Sequence, residues 1–131
     1  MVVEAESKVT NAIYKVIRTK GDMFALATAS GLKFAKLNGD RKSFVLQKDI
    51  LLAETLLTQV TEVAQDIFLV GCWGQPWAAL CSKKTKAVQK IPTPSLEETQ
   101  TTNLILLPGF SLRSFPFAIM RTNKSLNLVD L

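Results

Sequence analysis

The chain contains no histidine and only two cysteines among its 131 residues. Without imidazole, the usual general base is missing, and so are the Ser-His and Cys-His nucleophile pairs and the commonest zinc ligand. Two thiols alone cannot close a structural zinc site, so no metal, cofactor or catalytic group is expected. Long hydrophobic runs are also missing. The longest uncharged stretch, Ile67 to Ser82, is interrupted by Gly, Gln and Pro and is shorter than the eighteen or more apolar residues of a spanning helix. The opening "MVVEAESKV" carries two acids and lacks the basic region and apolar core of a signal peptide, so a cytoplasmic location, or a nuclear one, is expected.

The composition is that of one globular domain, with 47% hydrophobic and 21% charged residues. The net charge of +5 is uneven: Met1 to Lys48 holds nine basic and four acidic residues, and the remainder holds seven of each. A local basic excess attracts phosphate. Here, however, Lys15, Arg18, Lys20, Lys33 and Lys36 alternate with apolar residues, the pattern of a solvated strand edge or face. Binding of nucleic acid or an anionic surface through this basic third is the alternative reading.

Three segments share one shape: "FALATASGLKFAKL" from Phe24, "FLVGCWGQPWAAL" from Phe68 and "FAIMRTNKSLNLVDL" from Phe117. Each is an apolar run, a turn of Gly, Asn, Ser or Pro, and a second apolar run ending on Leu, which reads as a β-hairpin. The leading phenylalanines lie 44 and 49 residues apart, enough for four short strands per repeat. A β-compatible run precedes each hairpin, and a more polar one follows the first two. Central strands apolar on both faces are what stacked sheets require.

This arrangement resembles a WD-repeat-type β-propeller, in a divergent form, over nearly the whole chain. "ATASGLKFAKL" resembles the paired central strands of a blade, with Ser30-Gly31 at the turn. "SLNLVDL" resembles the strand that closes a repeat, with Val129-Asp130 where that family places Trp-Asp. The resemblance implies an all-β fold, a partial β-propeller of consecutive antiparallel four-stranded blades: a first over about 9–52, a second over about 56–97 and a partial third over about 101–131. It further implies a non-catalytic scaffold for protein partners, a piece of a larger propeller whose ring is completed by further sequence or by self-association.

One stretch competes with this reading. In "DILLAETLLTQVTEVA", Ile50, Ala53, Leu57, Val60 and Ala64 recur at helical spacing behind Asp49. The strand reading, favoured because the period needs two strands here, breaks the segment at Ala53-Glu54-Thr55.

The candidate contact residues are Trp73, Gln75, Trp77, Arg113, Asn123 and Lys124. If Gly74-Gln75 is a two-residue turn, Phe68 faces Cys81 and Trp77 faces Cys72. The cysteines are then too far apart for a disulfide and read as buried small hydrophobes. Trp73 and Trp77 flank the turn, either packed on a neighbouring sheet or offered for contact, with Trp77, behind a proline, the less firmly held. Arg113 sits among Phe110, Phe115 and Phe117. Asn123-Lys124 forms the third hairpin's tip. Lys83, Lys84 and Lys86 read as solvated turn residues, and "KIPTPSLEETQTTN" as an extended outer strand running into a polar loop, a flexible insertion between blades that could meet a partner.

Overall fold

The computed structural model describes residues 12–40, 43–107 and 117–131. Among them every regular element is a β-strand, and no helix is long and apolar enough to cross a membrane. Among the described residues eleven strands form three antiparallel sheets in chain order. The first contains β1 (Ile13–Arg18), β2 (Met23–Thr28), β3 (Gly31–Leu37) and β4 (Phe44–Leu51). The second contains β5 (Leu57–Ala64), β6 (Ile67–Cys72), β7 (Trp77–Ser82) and β8 (Val88–Pro92). The third contains β9 (Thr101–Leu107), β10 (Phe117–Thr122) and β11 (Leu126–Asp130). Each strand pairs with its neighbours in sequence, so each sheet is a simple meander.

The ambiguous segment is extended. β4 ends at Leu51, a turn runs through Ala53-Glu54-Thr55, and β5 starts at Leu57. Its helix-like spacing has a physical cause, a register shift between Leu57 and Gln59. A bulge of this kind changes the side-chain alternation. Leu57 and Val60, three residues apart, therefore both enter the core between the first two sheets.

The middle sheet is covered on both faces. Phe68, Val70, Cys72, Ala79 and Cys81 face Ala25, Ala27, Leu32, Phe34 and Leu51 of the first sheet. The Phe34 and Phe68 rings meet there at 5.3 Å between centroids. The alternate residues Leu69 and Ala78 pack on Leu104, Ala118 and Met120 of the third sheet. Burying each of the large side chains contributes roughly 1.5–3 kcal/mol. The closest backbone approaches between sheets run from β1 and β2 to β5, and from β5 and β6 to β9, so the sheets draw together along their first strands. Thr58 and Gln59 of β5 reinforce this by donating to the carbonyls of Thr101 and Thr102, at 2.8 and 3.3 Å.

The register of the second hairpin follows the sequence closely. Phe68↔Cys81 and Gly71↔Ala78 are as expected from a turn centred on Gly74-Gln75. In the first hairpin the turn is Ala29-Ser30, one residue earlier than expected, because Gly31 already pairs with Thr28. Gly31 has φ +95°, and a Cβ there would lie 2.5 Å from the Leu51 and Leu52 carbonyl oxygens. The third hairpin is shifted by one. Ala118 and Met120 face the second sheet as Phe68 and Val70 face the first, so Ala118, not Phe117, takes the place of Phe68. A slip of one residue reverses every side chain, which makes the second spacing 50 instead of 49.

Gly71 marks a close approach of the second and third sheets. A Cβ at this position would lie 2.5 Å from Thr101 Cγ2 and 2.6 Å from Thr101 Cβ, whereas a Cβ at Gly39 would meet nothing within 4 Å. Gly71→Ala should therefore cost roughly 1–3 kcal/mol in urea unfolding, while Gly39→Ala should stay within about 0.5 kcal/mol of the parent. Equal stability of the two variants would contradict the close approach.

Candidate contact face at the hairpin tips

The tips of the three central hairpins lie at one end of the sheets. Thr28 closes β2 and its hydroxyl donates to the Gly31 carbonyl at 2.8 Å, while Ser30 N–H donates back to it at 3.1 Å. Thr122 closes β10 in the same manner, its hydroxyl accepting from the N–H groups of Ser125 at 3.0 Å and Lys124 at 3.2 Å. The second tip lacks such a threonine and is held from outside. Trp73 N–H donates to Leu56 O at 2.9 Å and Gly74 N–H to Thr99 O at 2.6 Å, and Trp73 bridges to Gln100. Asn123 N–H then donates to Gln100 O at 3.0 Å, so one dipeptide, Thr99-Gln100, joins the second tip to the third.

The segment expected to be a flexible insertion is well tied down. Thr93 donates from both its N–H and its hydroxyl to Pro76 O, each at 3.0 Å. At its centre is Glu98, only 3% exposed. Its carboxylate accepts from the hydroxyls of Ser125, of Thr122 at 2.8 Å and of Ser95 at 3.1 Å. Asn127 Nδ2 supports Ser125 Oγ at 2.8 Å. The hydrogen bonds from Ser125 and Thr122, with a smaller one from Ser95, hold Glu98 below the usual carboxylate range, against the opposing effect of burial. The sequence places Glu98 only beside Glu97 on a mobile-looking polar loop, although Ser95-x-x-Glu98 has the spacing at which a hydroxyl and a carboxylate can meet across a turn.

The two tryptophans have different environments. Trp73 is half exposed and, with Tyr14, Leu56 and Thr58, lines a cavity of about 300 Å³. Trp77 packs against the core between the first two sheets, with Lys90 Nζ 4.6 Å from its ring centroid. The freer ring is therefore Trp73, the reverse of the order expected. Pro76 takes part in the turn fixed by Thr93, which holds Trp77 inward. Tyr14, the chain's single tyrosine and also half exposed, was not anticipated, since nothing local in the sequence places it beside Trp73.

Gln75, Asn123 and Lys124 are exposed on this end. Lys124 pairs with Glu97 at 2.5 Å, and Asn123 Nδ2 donates to Glu97 O at 3.4 Å. An ion pair this exposed orders the side chains more than it stabilises the fold. Arg113 lies outside the described residues. Away from the tips, Lys86 pairs with Asp49 and Lys83 lies 4.8 Å from the Phe34 ring centroid, so two of the turn lysines clasp the first sheet. Lys33, read as solvated, is 8% exposed.

Both cysteines are buried and unpaired in disulfides. Burial pushes the thiol of Cys72 up to about 12 and that of Cys81 to about 11. Thiolate is the nucleophilic form, so both should resist thiol reagents at pH 8 and become fully reactive in denaturant; labelling of the folded chain at the unfolded rate would contradict their burial.

Glu98 supplies a pH test. Its folded-state pKa is depressed, so its contribution to stability is fully present above the unfolded pKa and is lost as pH falls through the folded value. The parent's urea midpoint should drop on acidification below about 4.5. Glu98→Gln should be less stable at neutral pH and show a smaller acid-induced drop, and parallel curves for the two proteins would count against the network.

Compared with known proteins, the chain matches no family model, no curated protein and no solved structure.

Proposed function

We propose that the chain is a non-catalytic protein-interaction scaffold, its sheets serving as consecutive blades of a divergent β-propeller and its hairpin tips as the docking face. The observation that carries this reading is Trp73: a large ring, half exposed, on a backbone fixed by Leu56, Thr99 and Gln100. A rigid, exposed aromatic loses little freedom on binding and is the type of residue that dominates protein interfaces. Tyr14 and Leu56 extend the apolar surface beside it, and Gln75, Asn123 and Lys124 supply polar groups on the same end.

The blade reading is supported by the repeated meander order, by approach along first strands and by the doubly covered middle sheet. Chemistry of the buried groups supports the non-catalytic part. Glu98 is saturated by hydroxyl donors and its lowered pKa makes it a poor proton acceptor, and the thiols are held protonated. The dispersed basic residues are partly occupied: Lys33 is buried and Arg18 Nε donates to Gly21 O at 2.8 Å.

The test compares Trp73→Ala with Trp77→Ala. Trp77→Ala should lose roughly 2–4 kcal/mol of stability, as a packed aromatic does, whereas Trp73→Ala should remain within about 1 kcal/mol of the parent. In affinity capture with quantitative mass spectrometry, partners held by the parent should be lost from Trp73→Ala and little affected by raising salt. Capture of nucleic acid that falls steeply with salt and ignores Trp73 would overturn the proposal in favour of phosphate binding.

A further inference from the structure

The first two sheets each end on a fourth, outer strand, β4 beside β3 and β8 beside β7, whereas the third ends on β11. Thr122 N–H donates to Ser125 O at 2.9 Å, which makes these two a hydrogen-bonded pair. Bonded and non-bonded pairs alternate along an antiparallel ladder. With the observed register, Met120↔Asn127 and Ala118↔Val129 are then bonded pairs, and Arg121↔Leu126 and Ile119↔Leu128 are not. The N–H and C=O groups of Leu126 and Leu128 therefore point away from β10, into the open edge. No strand among the described residues pairs with that edge.

The other edge strands each carry features that discourage strand addition. β1 carries Lys15, Arg18 and a register shift, β4 carries Lys48 and a register shift, β5 carries Glu62 and two register shifts, β8 carries Lys90 and Pro92, and β9, packed against β5 and β6, carries a register shift. β11, "LNLVD", has no lysine, no proline and no bulge. Its outward leucines are 72% and 65% exposed at 126 and 128, and Leu128 continues a cross-strand row with Ile119 and the 48% exposed Ile105.

We propose that the edge of β11 is a strand-docking site: an extended segment of a partner protein pairs antiparallel with Leu126–Leu128 and completes the third sheet. Main-chain hydrogen bonds supply affinity and alternate side chains supply selectivity. Opposite Leu128 the segment carries an aliphatic residue that prolongs the Ile105–Ile119–Leu128 row. Its alternate residues turn toward Val129 and Ile91, which already pack in the interface of the second and third sheets, and are aliphatic or small. Exposed Arg121, cross-strand from Leu126, favours an acid at that end. β4 itself shows this chemistry in the same position of the first sheet, with aliphatic residues around a central Lys-Asp.

The probe is a fluorescein-labelled synthetic peptide with the sequence of residues 43–52, "SFVLQKDILL", titrated against the full chain by anisotropy, with hydrogen exchange followed by NMR. Saturable binding is expected, with slowed exchange at the Leu126 and Leu128 amides. Leu128→Pro should weaken binding at least about tenfold without unfolding the chain, because that N–H makes no bond within the sheet and proline is tolerated at an edge. Leu128→Lys, which keeps the N–H but charges the edge, should also weaken binding and serves as the readout if the proline variant unfolds. Lack of binding, undiminished binding by both variants, or protection on another strand would overturn the proposal. So would a doubled solution mass of the parent that Leu128→Lys abolishes, since the edge would then be filled by a second copy. Trp73→Ala should leave peptide binding unchanged, which separates this surface from the hairpin tips.

Discussion

The structure depends on burying both faces of the β6–β7 hairpin. Odd and even positions of β6 enter different cores, Phe68 and Val70 toward the first sheet and Leu69 toward the third. A strand of this kind leaves no solvent face for polar residues, which is why "IFLVGC" is apolar throughout. Side-chain size then sets the spacing of the sheets. Two phenylalanines fill the first interface, whereas Gly71 and Ala78 let the third sheet come close enough for Thr101 to lie 2.5 Å from where a Cβ at Gly71 would be.

That close approach determines the polar architecture above it. With β9 drawn against β5 and β6, the segment entering β9 passes directly over the second hairpin tip, where its carbonyls accept from Gly74 and Asn123. Glu98 is carried into the seam between this segment and the third tip. A buried carboxylate is costly unless its oxygens are satisfied, and Ser95, Thr122 and Ser125 satisfy them without a cation. The threonine that closes the third hairpin therefore also positions the loop from the second sheet. Packing at Gly71 and hydrogen bonding at Glu98 are successive parts of one connection, and together they fix the backbone that presents Trp73.

The strand order and the central pairings were legible because alternation and turn residues are local signals. Phe68↔Cys81 follows from the position of Gly74-Gln75 alone. Where bulges intervene, local pattern misleads: Leu57 and Val60 look helical because a register shift turns both to one face. The third hairpin was misplaced by one residue because its Phe117 resembles Phe68 in type, and residue type says nothing about which face the ladder assigns. Exposure of the tryptophans was less legible still. It depends on Thr93 holding Pro76 and on Gln100 bridging Trp73, contacts 17 and 27 residues away along the chain.

Glu98 and β11 show how the same sequence feature changes meaning with its surroundings. Polar residues in "TPSLEETQTTN" suggest a solvated loop, yet Thr93, Glu98, Thr99 and Gln100 bond within the fold, which makes the segment a clasp. Conversely, the apolar alternation of "LNLVD" suggests a covered strand, yet Leu126 and Leu128 face outward beside backbone groups that no strand among the described residues pairs. A loop that is polar by composition is thus anchored through part of its groups, and a strand that is apolar by composition keeps two leucines exposed. Composition records what a segment is able to bury, and only the sheet it joins determines which of its groups remain free to bind.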